Sequence, residues 1–119
     1  MPRVKRGVTS HKRHKKILAL TKGHQGTKSK LIRRATESML HSLNYAYIHR
    51  RKRKGDMRRL WILRVNAACR AQGTTYSQFI NGLNKSGIEI NRKMLADMAV
   101  RDPESFTRLV TLAEVKIQG

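Results

Sequence analysis

Several things are scarce in this chain. It has one cysteine, Cys69, so no internal disulfide framework can form. Cys69 sits within an apolar run and is expected to be a buried small hydrophobe of a reducing compartment. Proline occurs only at Pro2 and Pro103, so none interrupts a helix between them. No apolar stretch approaches the roughly 18 residues of a membrane span. The basic N-terminus has no apolar segment behind it, so it does not read as a secretory signal. Acids are the scarcest charged groups: seven Asp and Glu face 27 Lys and Arg, for a formal charge of +20 and a pI near 11.5. Solubility alone asks a small domain for a magnitude of about 2–8.

The charge that is present is lopsided. Residues 1–59 hold 19 Lys and Arg against Glu37 and Asp56, a net of +17. Residues 60–119 hold eight against five acids, a net of +3. All five histidines lie in the first part. The expected organisation is a basic arm over 1–59 and a small helical domain over 60–119. Such asymmetry points to a polyanionic partner.

Residues 1–16 carry few apolar groups. They cannot offset an ordering cost of about 1–2 kcal/mol per residue, so an extended or disordered segment is expected. A short helical piece is expected over "KKILALTKG", stopped near Gly23. From Lys28 the spacing turns helical: Leu31, Ala35, Met39, Leu43 and Ala46 share one face, with Ile32, Leu40 and Tyr47 beside them. The opposite face carries Lys30, Arg33, Arg34, Glu37, His41 and Asn44. One helix can run to about Gln72, some 68 Å at 1.5 Å per residue, with a bend expected at Gly55. That exceeds what a compact domain of this size holds, so part of it is expected to protrude.

After Leu60 the helix is apolar on nearly every side, which predicts that protein surrounds it. Trp61 is expected in that core. Gly73 reads as a C-terminal cap. Thr75–Gln78 reads as a capping box, followed by Phe79, Ile80 and Leu83 as a buried stripe and Gly87 as a stop. Asn91 is positioned to cap a further helix with Leu95, Met98 and Ala99 inward. Asp102 and Pro103 open a last one with Phe106, Leu109, Val110 and Ala113 inward. The fold class is all-α: a long basic N-terminal arm with a long protruding helix, plus a small C-terminal helical bundle.

The segment "RRKRKGDMRR", 50–59, holds seven Lys and Arg and one acid. Like charges one helical turn apart, about 6 Å, repel by about 0.7 kcal/mol per pair in water. These cations cover every side of a helix, so no face can turn inward. Phosphates approaching from several sides would reverse the sign of that energy. A merely solvated charged face is the plain alternative for one such run. Two further clusters, "HKRHKK" and "KSKLIRR", favour nucleic-acid binding. The candidate contacts are Arg3, Lys5 and Arg6, then His11, Lys12, Arg13, His14, Lys15 and Lys16. Lys22, Lys28, Lys30, Arg33 and Arg34 follow, and then His49, Arg50, Arg51, Lys52, Arg53, Lys54, Arg58 and Arg59. Tyr45 can stack on an unpaired base. Tyr47 lies on the apolar stripe and is expected to pack instead.

Other chemistry finds little support. His11, His14 and His24 have no Cys pair or carboxylate near them, whereas zinc takes three or four ligands. "GHQGTKS" lacks the spacing of a phosphate loop. No carboxylate pair and no Ser, His and Asp set is visible, so no enzyme, metal, cofactor or small-molecule substrate is expected. An architectural DNA-binding protein needs a basic recognition helix in the bundle, where Lys and Arg are only scattered. A membrane-surface peptide needs an apolar face opposite the charges, and 50–59 offers Met57 alone.

Three long stretches, "RVKRGVTSHKRHKKILALTKG", "YAYIHRRKRKGDMRRLWILRVNAA" and "YSQFINGLNKSGIEINRKMLADMAVRDPESF", resemble the large-subunit ribosomal protein L-twenty family of bacteria and organelles. The resemblance is collinear over nearly the whole chain and departs from the family pattern at His24, Gln25, Gly55 and Met57. It implies direct binding to large-subunit ribosomal RNA early in assembly, with the helical arm between RNA helices and the bundle near the subunit surface. It implies neighbouring ribosomal proteins as partners, and a place in the ribosome of the cytoplasm, or of the matrix or stroma in an organelle. Some members also bind their own messenger RNA through the C-terminal domain.

Overall fold

The computed structural model describes residue 3 and residues 5–118, with side chains through 115. Every regular element among them is helical: α1 (Gly7–Leu20), a 3₁₀ turn (Gly26–Ser29), α2 (Ile32–Ala71), α3 (Tyr76–Lys85), α4 (Arg92–Arg101) and α5 (Pro103–Gln118). The chain forms two compact units, 1–51 and 52–119, and α2 belongs in part to each.

In the first unit, α1 occupies much of the segment expected to be extended. No residue of α1 is buried. The segment lacks a core, as its composition implies, and that lack does not dictate its conformation. A helix satisfies its own backbone groups, and exposed like charges in water oppose it only by fractions of a kcal/mol per pair. Thr21 ends α1 and is fully buried, its hydroxyl donating to the carbonyls of Ile17 (3.4 Å) and Leu18 (3.3 Å). Gly23 then takes φ +85°, a left-handed conformation in which a side chain would be strained.

The helix expected from Lys28 begins at Ile32, because Gly26–Ser29 is wound as a 3₁₀ turn that bonds Lys30 and Leu31 N–H to the Thr27 carbonyl. Of the apolar stripe that leads into and along α2, Ala35 is buried, while Leu31, Leu40, Leu43 and Tyr47 are half exposed or more. Tyr47 thus does not pack as expected. Periodicity reports which residues share a face; it does not supply a layer to cover that face. Helical structure runs through Gly55 to Ala71.

The core of the second unit joins Val65 and Cys69 from α2 to Phe79 and Leu83 of α3, Leu95 and Ala96 of α4, and Phe106, Val110 and Ala113 of α5. The Phe79 and Phe106 rings meet at 5.3 Å with a 51° tilt, within the distance range of favourable aromatic pairs. The last turn of α2 closes on Gly73, at φ +80°. Gly73 N–H donates to the Arg70 carbonyl and Thr74 N–H to the Cys69 carbonyl, both at 3.1 Å, which satisfies two carbonyls the helix leaves open.

The caps read from sequence are present. Thr75 and Gln78 form a reciprocal capping box on α3. Asn91 Oδ1 accepts from Met94 N–H at 2.8 Å, and Asp102 Oδ1 accepts from Ser105 N–H at 3.1 Å, at the starts of α4 and α5. The Ser105 hydrogen bond holds the Asp102 carboxyl below the usual range. Gln72 donates to the Thr107 hydroxyl (2.9 Å) and Arg92 to the Tyr76 hydroxyl (2.8 Å), tying the turn after α2 to α5 and α4 to α3.

The sequence expectation fails on part of α2 after Leu60. Val65 and Cys69 are buried, but Leu60 and Ala67 are exposed and Leu63 is 65% exposed. Trp61 packs against the core yet remains half-buried. Three short helices are enough to cover one side of α2, not its whole circumference.

Candidate nucleic-acid interface

Positively charged side chains line α1 and α2. On α1, Arg6 at the cap and His11, Lys12, Arg13, His14, Lys15 and Lys16 are all exposed. So are Arg3 and Lys5 before it and Lys22, Lys28 and Lys30 between the helices. On α2, Arg33 and Arg34 are exposed, and then every residue from 40 to 60. That last run includes Tyr45, His49, Arg50, Arg51, Lys52, Arg53, Lys54, Arg58 and Arg59.

Successive residues of a helix are turned by about 100°. Arg50 to Lys54 therefore complete one circuit, and Arg58 and Arg59 begin another. Among the described residues the ion pairs are Arg34–Glu37 (3.5 Å) and Asp97–Arg101 (3.0 Å), neither within 50–59. The Arg51 guanidinium lies 4.5 Å above the Tyr47 ring, which draws on the ring quadrupole and leaves the charge in water. The cations of 50–59 are thus exposed and, among the described residues, none is held in an ion pair.

The structure also brings together groups that sequence spacing had kept apart. Lys28, Arg34, Glu37, Ser38, His41 and Tyr45 border one hollow of about 360 Å³ in the first unit. His24 Nδ1 lies 2.7 Å from the Ser38 hydroxyl, joining the loop to α2. In the sequence pattern His41 lies on the polar face of the helix. Its ring stacks on Tyr45 (6.3 Å between centroids, 25° between planes), and Tyr45 stacks on His49 (6.0 Å, 19°). The signal was in the sequence as the spacing 41, 45, 49. In the second unit, Met57, Trp61, Arg64, Asn91, Lys93 and Met94 border a further hollow with Ala96, Asp97 and Arg101. Arg64 and Lys93 are far apart in sequence, so this cluster left no local pattern to read.

Among the described residues no three His, Cys, Asp or Glu side chains come together as a metal-holding group. No helix among them is long and apolar enough to cross a membrane.

These features define an all-α protein whose dominant chemistry is an exposed, helical polycation. The family model for ribosomal protein L20 matches residues 3–109. The relatives agree. The large ribosomal subunit protein bL20 of Moorella thermoacetica is 63% identical over 117 residues, 98% of this chain and 97% of its own. The protein of the same name from Caldanaerobacter subterraneus subsp. tengcongensis is 57% identical over 119 residues, the whole of both chains. That of Natranaerobius thermophilus is 56% identical over 117 residues, 98% of this chain and all of its own. The chain belongs to the ribosomal protein L20 family, whose members are structural and non-enzymatic ribosomal proteins.

Proposed function

We propose that this protein is built into the large ribosomal subunit, binds the large-subunit ribosomal RNA directly, and supports early assembly of that subunit. The observation that carries the reading is the unbroken exposure of 40–60 on α2, with seven cations over 50–59 that form no ion pair among the described residues and only Asp56 against them. A groove of duplex DNA meets one side of a helix. A folded RNA can surround one, so phosphates on several sides answer cations on several sides. The relatives' name, large ribosomal subunit protein, agrees with that partner.

In this reading, residues 1–59 supply the RNA contacts and 60–119 is the domain that anchors them, with neighbouring ribosomal proteins as further partners. The contacts at 50–59 fall on phosphates and position the helix, with little reading of bases. The place of action is the ribosome, in the bacterial cytoplasm given the bacterial relatives. A second activity, binding of its own messenger RNA through the C-terminal domain, rests on the family resemblance alone.

Crosslinking of the full chain to equal amounts of large-subunit ribosomal RNA, small-subunit ribosomal RNA and duplex DNA tests the reading. Strong preference for the large-subunit RNA is expected. Equal capture of all three, or preference for DNA, would overturn it in favour of an architectural DNA-binding protein.

A further inference from the structure

The row His41, Tyr45 and His49 occupies exposed positions of α2, one above the next, at centroid spacings of 6.3 and 6.0 Å. The spacing follows from the helix, since four residues rise by about 6 Å. A base entering the row would take the place of one His ring beside Tyr45, by rotation of that exposed side chain. Tyr45, the middle ring, is 55% exposed.

Tyr47, two residues on, is 50% exposed, but the Arg51 guanidinium already occupies a face of its ring at 4.5 Å. Exposure alone would rank the two tyrosines together; their neighbours separate them, aromatic rings beside Tyr45 and a cation over Tyr47. Lys28 and Arg34 share the hollow beside His41 and Tyr45. Arg34 is engaged by Glu37 at 3.5 Å, so Lys28 is the nearer candidate for a phosphate.

We propose that His41, Tyr45 and His49 form a stacking row that takes unpaired bases of RNA, with Lys28 holding the phosphate of the same nucleotide. This rests on the RNA-binding reading and deepens it. The cations of 50–59 position the backbone of any RNA, whereas the ring row selects nucleotides outside a duplex, because a paired base has no face to offer.

The test uses the full chain with two probes, single-stranded oligouridylate and duplex RNA of equal length. Tyr45→Leu should weaken oligouridylate binding by about 5- to 150-fold, the range that loss of one base–aromatic stack spans. Duplex binding should be unchanged, Tyr45→Phe should retain wild-type affinity for both, and Tyr47→Leu should show no selective loss. If Tyr45→Leu lowers the helix content by circular dichroism, the double variant His41→Ala/His49→Ala replaces it, with the same selective loss expected. Equal weakening on both probes, or no loss on oligouridylate, overturns the stacking row and leaves RNA binding intact. Failure of the unaltered protein to bind either probe at low salt overturns the RNA-binding reading, and the row with it.

Discussion

Gly82 of α3 lies directly against Ala113 of α5. A Cβ added at Gly82 would stand 2.7 Å from the Ala113 Cβ and would collide with the Ala113 carbonyl oxygen. The absent side chain is what lets these two helices approach with Phe79 and Phe106 in contact. Backbone cannot yield as a flexible side chain can, so Gly82→Ala should destabilise the protein by about 1–3 kcal/mol. Gly55→Ala is the control. It lies inside α2 with nothing within 4 Å of the new carbon, so it should stabilise by about 0.5–1 kcal/mol. Thermal melts of both variants check the pair, and equal effects would contradict the crossing.

Trp61→Ala should cost about 2 kcal/mol, below the roughly 3–5 kcal/mol of a fully buried ring, because Trp61 is covered on one side only. Urea unfolding gives the value. No loss of stability would mean that the ring does not pack on the core.

Burial pushes the Cys69 thiol up from 9.0 to about 11. Its neutral form is favoured in the folded state, so its contribution to stability is complete below pH 9. The contribution is lost as pH rises from 9 through 11, where the unfolded chain ionises first. Iodoacetamide at pH 8 should leave the native protein unmodified and label it rapidly in denaturant. Fast native labelling would place Cys69 at the surface.

Every residue of 40–60 is exposed, and 50–59 is dense in trypsin sites. Limited digestion of the free protein should cut there and leave a resistant fragment beginning near Leu60. Added large-subunit RNA should protect the same bonds. Resistance of the free protein across 50–59 would show that the segment is covered without RNA.

The legible parts of the fold were those set by local chemistry. Thr75 with Gln78, Asn91, and Asp102 with Pro103 announce helix starts because a backbone N–H needs a partner within three residues. Gly73 and Gly87 announce ends because only glycine takes a positive φ without strain, and both do, at +80° and +68°. The illegible parts depended on what lay across from a side chain. The helix α1 forms without a core, and Leu40, Leu43 and Leu63 remain uncovered, because apolar spacing cannot show whether a second layer exists. The cations were legible as a set from charge alone. The row of His41, Tyr45 and His49 was legible only as spacing, and the occupied face of Tyr47 only as geometry.

The central claim is that Arg50, Arg51, Lys52, Arg53 and Lys54 act on phosphates. Each phosphate contact releases counterions and adds about 0.7–0.9 to the slope of log affinity against log salt. The most direct measurement is a salt titration of the full chain and of the variant with all five changed to Gln, on large-subunit RNA and on an unrelated RNA. The account predicts weaker binding to both RNAs, a slope flatter by about 3–4 units, and an unchanged melting temperature. A loss confined to the large-subunit RNA, with the slope unaltered, would mean that these side chains read bases or shape, and would contradict it.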